Sequence, residues 1–176
     1  MKKELKIFEN IKKIQNELFW VTLGFNTKPP KSKLKNEKQA TCNLKKLSLI
    51  MLGISTLKYK KDLVKEQELL MRIADLIIET YIIESAILKT EKVIEKQGLE
   101  KSATEIHMTQ NYLQNSINIA RSSAEEIIMS TTSGFKNKLL LSVCKKFTKP
   151  LKYDIKEIRR SISKKLQTET KYTFSI

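Results

Sequence analysis

The sequence predicts an all-α fold, a bundle of about six helices arranged around one long central helix, and three observations carry that expectation. Glycine and proline are scarce, four and three among 176 residues, which leaves little material for the tight turns an all-β or Rossmann-type chain requires. The stretch LVKEQELLMRIADLIIETYIIESAILKTEKVIEKQG, from Leu63 to Gly98, holds no helix breaker before its closing glycine. Apolar residues also recur near the 3.6-residue helical period in one segment after another. With 40% hydrophobic residues the chain can enclose one core, so a single helical domain over residues 1–176 is expected.

The first helix is expected from Lys3 to about Leu23, where Leu5, Ile7, Phe8, Ile11, Ile14, Leu18 and Phe19 form an apolar stripe between lysines. Residues 24–40, GFNTKPPKSKLKNEKQA, combine a glycine, a proline pair and dense charge, and read as a flexible internal linker. A second helix runs from about Glu37 to Tyr59, apolar over much of its circumference, with Gly53 as its one weak point. The third is the long stretch itself. Leu69, Leu70, Ile73, Leu76, Ile77, Ile83, Ala86 and Leu88 cover more than one stripe, so it should be packed on several sides.

Gly98 should end that helix, and Ser102, Ala103, Thr104 and Glu105 read as a capping box that opens a fourth, running to about Met129. The serine-threonine cluster Ser130 to Ser133 then stops it. A fifth helix spans Phe135 to Phe147 and ends before Pro150. Asp154 and Glu157 form a second capping box for a sixth, to about Leu166.

The formal charge of +15 raises nucleic acid or an anionic membrane surface as partners. Only four of the 34 basic residues are arginine (Arg72, Arg121, Arg159 and Arg160), however, and the bidentate fork that clamps phosphate or reads guanine belongs to arginine. The abundance of Lys, Ile and Asn together fits compositional drift, and no specific nucleic acid is expected. The densest basic region is Lys145, Lys146, Lys149, Lys152, Arg159, Arg160, Lys164 and Lys165. Phe147 and Tyr153 fall among these residues, a pattern that suits single strands; a solvated helix face is the simpler reading.

Catalysis has no visible home in this chain. Asp75 and Glu79 are four residues apart and share a helix face, as a working carboxylate pair must, but Arg72 one turn earlier neutralises the nearer member, and Glu84 lies beyond. These three carboxylates are expected to be the polar positions of a structural helix. His107 is the lone histidine, so no triad or multi-histidine metal site can be built, and a solvated histidine is expected there. Cys42 and Cys144 have no second ligand at metal spacing and read as buried reduced thiols. No Gly-rich phosphate loop is present, and the Ser130 to Ser133 cluster is a helix stop before it is a phosphate nest. Catalytic, cofactor-binding and metal residues are therefore all expected to be none. The N-terminus is broken by charge at every turn, unlike a signal peptide. The most apolar uncharged stretch, Leu47 to Leu57, is too short to span a bilayer, and a cytoplasmic protein is expected.

The long stretch has a more specific signature. Its "KEQE", "IAD", "ES" and "EK", in that order, resemble the additional C-terminal helical region of the acyl-CoA dehydrogenase family, as carried by its longer bacterial and very-long-chain-type members. "KKELKIFENIKKIQNEL" is similar to the start of that region, and "FTKPLKYDIKEIRRSISKKL" with "KYTF" to its end. Nearly all of the chain is covered, residues 24–40 least well. The resemblance implies a family of flavoenzymes that take two hydrogens from an acyl-CoA thioester, with a glutamate base and FAD held in a helix-sheet-helix core preceding this region. None of those roles falls on a residue of this sequence. The expectation is an orphan or truncated accessory domain, not catalytic alone, with a separate acyl-CoA dehydrogenase catalytic core as its partner. A free-standing basic adaptor for nucleic acid or anionic lipid is the alternative.

Overall fold

The computed structural model describes residues 32–168; the expected first helix, residues 24–31 and the closing KYTF lie outside the described residues. Within them the chain is helical, with no strand: α1 (Lys35–Tyr59), a 3-10 turn (Lys60–Lys65), α2 (Gln67–Gln97), α3 (Ala103–Thr131), α4 (Gly134–Phe147) and α5 (Ile155–Thr168). Five of the six expected helices are thus described, with ends close to those the breakers suggest.

Two boundaries differ from expectation. The linker-like segment already becomes helix at Lys35. Lys, Asn, Glu and Gln there carry no proline, and Leu34 and Ala40 find buried places against the bundle, so packing outweighs the charge density. The long stretch starts its α-helix at Gln67, because Leu63 to Lys65 belong to the 3-10 turn that reverses the chain after Lys60, whose φ is 51°. Gly98 closes α2 as expected, at a φ of 85° that a glycine adopts without a Cβ penalty and with its N–H on the Ile94 carbonyl.

At 31 residues α2 is the longest helix, roughly 46 Å at 1.5 Å per residue. The helix that every other described α-helix touches is α3. Its sequence explains this: Ser116, Ala120, Ser123 and Ala124 are small and buried, so neighbouring backbones approach closely, while Leu113, Ile117, Ile127 and Ile128 fill the layers between. Leu44, Leu47 and Met51 of α1 and Leu76, Ile83 and Ile87 of α2 complete the core. The Thr90 and Thr109 hydroxyls, 2.7 Å apart, tie α2 to α3 inside it.

The two short helices are pinned by polar contacts. Arg121 of α3 donates from Nε to the Thr148 hydroxyl at 2.9 Å and from Nη2 to the Thr148 carbonyl, fixing the end of α4. Asp154 caps α5 by accepting the Glu157 N–H at 3.0 Å, the N-terminal half of the expected box. The other box is not formed. Ser102 adopts φ −96° and ψ 11° and gives α3 no side-chain cap; its hydroxyl donates instead to the Gly98 carbonyl at 2.7 Å. Residues 99 to 102 coil into a turn, and that turn takes the serine away from the amides ahead of it.

Candidate functional site

The three carboxylates of α2 do not converge. Asp75 stays beside Arg72, Oδ2 to Nη1 at 3.4 Å, while Arg72 Nε reaches across to Glu126 Oε2 of α3 at 2.5 Å. The Glu126 hydrogen bond is the main reason the guanidinium pKa is raised. Glu79 turns inward and accepts from the hydroxyls of Ser116 at 2.6 Å and Tyr112 at 3.2 Å. Burial first, and then Glu79, push the Tyr112 phenol upward. Glu84 pairs with Lys45 of α1. Asp75 is thus spent within α2 while Glu79 and Glu84 fasten it to two different neighbours, and a general acid-base pair cannot be assembled from them.

The remaining sequence candidates are likewise structural. His107 is half-buried rather than solvated, its Nδ1 3.1 Å from the Ser161 hydroxyl of α5. Cys144 is fully buried, and burial above all raises its thiol pKa to about 11; Cys42, expected to be buried too, is only partly so. It sits on α1 at the margin of the core, where the apolar pattern is less selective. Ser130, Thr131 and Thr132 turn their hydroxyls back onto the carbonyls of Glu126, Ile127 and Ile128. That cluster is the electronegative end of a helix, the wrong polarity for phosphate.

In the basic region Phe147 is buried and the Tyr153 hydroxyl is spent on Glu37 at 2.7 Å, so neither ring is free to stack on a base. Among the described residues no three His, Cys, Asp or Glu side chains come together as a metal site requires, and no helix is long and apolar enough to cross a membrane.

What the described residues do present is an apolar face. The expectation that α2 is packed on several sides is met on one side only. Leu69, Ile73, Leu76, Thr80, Ile83 and Ile87 point into the bundle. On the opposite side Met71, Ile77, Ile78, Tyr81, Ile82 and Leu88 are 66, 49, 52, 70, 40 and 50% exposed. The i, i+4, i+7 and i+11 spacings among these six place them along one outward face of the helix. Leu49, Leu52 and Leu57 of α1 are also exposed. Monomeric proteins seldom leave large contiguous apolar patches in water, so this face has the character of an interface. The signal was present in the sequence, as a helix more apolar than burial on one side can use.

Beside this face, α2, α3 and α5 enclose a mostly apolar cavity of about 450 Å³ whose lining includes Ala86, Val93, Met108 and Ile162, with Lys89 as its one cation. Glu105, which also lines it, has a buried Oε2 without a hydrogen-bond partner among the described residues, a consequence of the unformed capping box.

Comparison with known proteins places these features in context. The family model for the acyl-CoA dehydrogenase C-terminal domain matches residues 43–146. A probable acyl-CoA dehydrogenase of Bacillus subtilis (strain 168) is 31% identical over 173 residues, which are 98% of this chain and 29% of that protein. The crystal structure of an FAD-complexed acyl-CoA dehydrogenase from Bacillus anthracis superposes with a TM-score of 0.82 at 32% identity, covering 99% of this chain and 29% of that one. The chain therefore spans under a third of the length of both relatives.

Proposed function

Because the chain belongs to the acyl-CoA dehydrogenase family and matches its C-terminal domain, we propose that it serves as a non-catalytic helical accessory domain, docking through the outward face of α2 onto a separately supplied acyl-CoA dehydrogenase catalytic core in the cytoplasm. The observation that carries this reading is the exposed stripe from Met71 to Leu88 on a helix whose other side is fully used by the bundle. In relatives more than three times as long, the residues that this chain does not match are available to cover such a stripe.

The catalytic burden would rest on that core. The described residues do not fit FAD on their own: they offer no strand edge and no Gly-rich turn leading into a helix, the arrangement that holds a dinucleotide pyrophosphate. The apolar cavity, with one lysine and no glycine or arginine in its lining, does not replace it. Glu79 and Glu84 of α2, each tied to a partner on another helix, are consistent with a domain whose work is to keep α2 straight and its outer face presented.

The test is co-expression of the full chain with an acyl-CoA dehydrogenase core from the same organism. A complex that co-elutes on gel filtration, and that Tyr81→Asp disrupts while leaving the helical circular dichroism intact, supports docking. A chain that stays monomeric and binds no such core overturns it.

A further inference from the structure

The contacts between α1 and α2 set an antiparallel register. Lys38 Nζ meets Glu91 Oε2 at 2.7 Å, and Lys45 pairs with Glu84, so seven residues forward on α1 match seven back on α2, about two turns on each. One further step of seven brings Leu52 level with Ile77. The first two rungs of this seam are closed by charge, whereas the third is a leucine and an isoleucine that are both exposed. Leu49 and Tyr81 stand between the second and third rungs and Leu88 between the first and second, and these three are exposed as well. The outer side of the seam is therefore an apolar groove that no described residue covers.

The register divides the outward face of α2 in two. Ile77 and Leu88 lean toward α1, while Met71, Ile78 and Ile82 lie about 100° further round the helix, on the side away from α1. Tyr81 stands at the crest between them.

The chain carries a segment that fits the α1 side. The described residues begin at this groove, because the Ser32 hydroxyl donates to the Glu91 carboxylate at the first rung. Ahead of Ser32 lies the apolar stripe Leu5, Phe8, Ile11, Ile14, Leu18 and Phe19, which needs a partner surface if it is to leave water. As a helix, Leu5 to Phe19 spans about 21 Å, and the groove from Leu88 to Ile77 about 17 Å. Residues 24–31 reach at most about 26 Å when extended, enough for the chain to double back from Ser32 along the seam. Being tethered there, the stripe meets the groove at an effective concentration on the order of millimolar, against which a separate partner has to compete.

We infer that residues 3–23 dock as a helix in the groove between α1 and α2, parallel to α2, with their stripe against Leu49, Leu52, Ile77 and Leu88. Met71, Ile78 and Ile82 stay open. The segment and a catalytic core thus use different sides of α2, and the inference does not rest on the docking reading.

Hydrogen exchange of the full chain, read by mass spectrometry, tests it. An isolated helix of about 20 residues is marginal in water, so protection of this segment reports contact with the bundle. Amides 5–19 should exchange at least about tenfold more slowly than the same sequence in an unstructured peptide, at a rate independent of protein concentration. Ile11→Asp/Leu18→Asp, which alters the segment and no residue of the bundle core, should abolish that protection while α1 and α2 keep theirs. Leu52→Asp/Ile77→Asp should abolish it from the groove side, and Ile78→Asp, across the crest, should leave it as in wild type. Unprotected amides in the wild-type segment, or protection that survives Leu52→Asp/Ile77→Asp, overturn the inference. Protection that grows with protein concentration assigns the groove to a second copy and overturns it too. No core enters these measurements, so a chain that binds none leaves the placement of the segment standing, and an unprotected segment leaves the docking reading standing.

Discussion

The Tyr153 hydroxyl donates at 2.7 Å to the carboxylate of Glu37, 116 residues earlier in the chain. Gln110 Nε2 donates to the same Glu37 oxygen at 2.9 Å. Glu37 is buried at the start of α1, Gln110 lies on α3, and Tyr153 on the connection between α4 and α5. One buried carboxylate thus gathers three distant parts of the chain.

Tyr153→Phe should therefore cost about 1–3 kcal/mol, because it leaves a buried carboxylate short of a donor. Tyr81→Phe, on the exposed face of α2, should stay within about 0.5 kcal/mol. The pH dependence has a definite sign. Burial first, and then the hydrogen bond to Glu37, raise the Tyr153 phenol above its ordinary value, so its contribution is intact below about pH 10, where the unfolded phenol titrates, and is lost as the pH climbs beyond it. Urea melts between pH 8 and 11 should show the wild-type advantage over Tyr153→Phe shrinking at the alkaline end.

Gly53 offers a gain. It sits in the interior of α1 with a negative φ, and a Cβ built there meets nothing within 4 Å. Gly53→Ala should stabilise the domain by about 0.5–1 kcal/mol through helix propensity and a less mobile unfolded chain. That corresponds to roughly 1–4 °C in thermal melting for a domain of this size. A lower melting temperature would mean that the added methyl is not accommodated there.

The cysteines should separate kinetically. With a thiol raised to about 11, Cys144 is ionised in roughly one molecule in a thousand at pH 8, and it is buried as well. Cys42 is partly exposed. A thiol reagent should therefore label one cysteine per native chain quickly and the second only on unfolding, with Cys42→Ser abolishing the fast phase.

The helices were legible in the sequence because their boundaries are local: Gly98 ends α2, Asp154 opens α5, and neither needs a partner from elsewhere. The outward face of α2 was legible as a surplus, since Leu76 to Leu88 carries more apolar side chains than one buried stripe can hold. The relationships that cross the bundle were not. Glu37 reads as one carboxylate in a charged run until Tyr153 and Gln110 are folded onto it, and Ser102 reads as a cap until the turn before it draws the hydroxyl back to Gly98.

The sharpest test of the docking reading lies in two adjacent isoleucines. Ile82 is 40% exposed and Ile83 is wholly buried, because one step along a helix is 100° of rotation and these two straddle the border between the outer face and the core. The same substitution should therefore do two different things. Ile83→Asp places a charge in the core with no partner, a loss of several kcal/mol that should leave the chain unfolded or aggregated. Ile82→Asp meets water in the isolated domain, so its melting temperature should move by only a few degrees, while its association with an acyl-CoA dehydrogenase core should weaken at least tenfold. A charge in the middle of a desolvated apolar interface is opposed by its full hydration. If Ile82→Asp co-elutes with the core as well as wild type does, the outward face of α2 is not the docking surface, whatever else the domain binds.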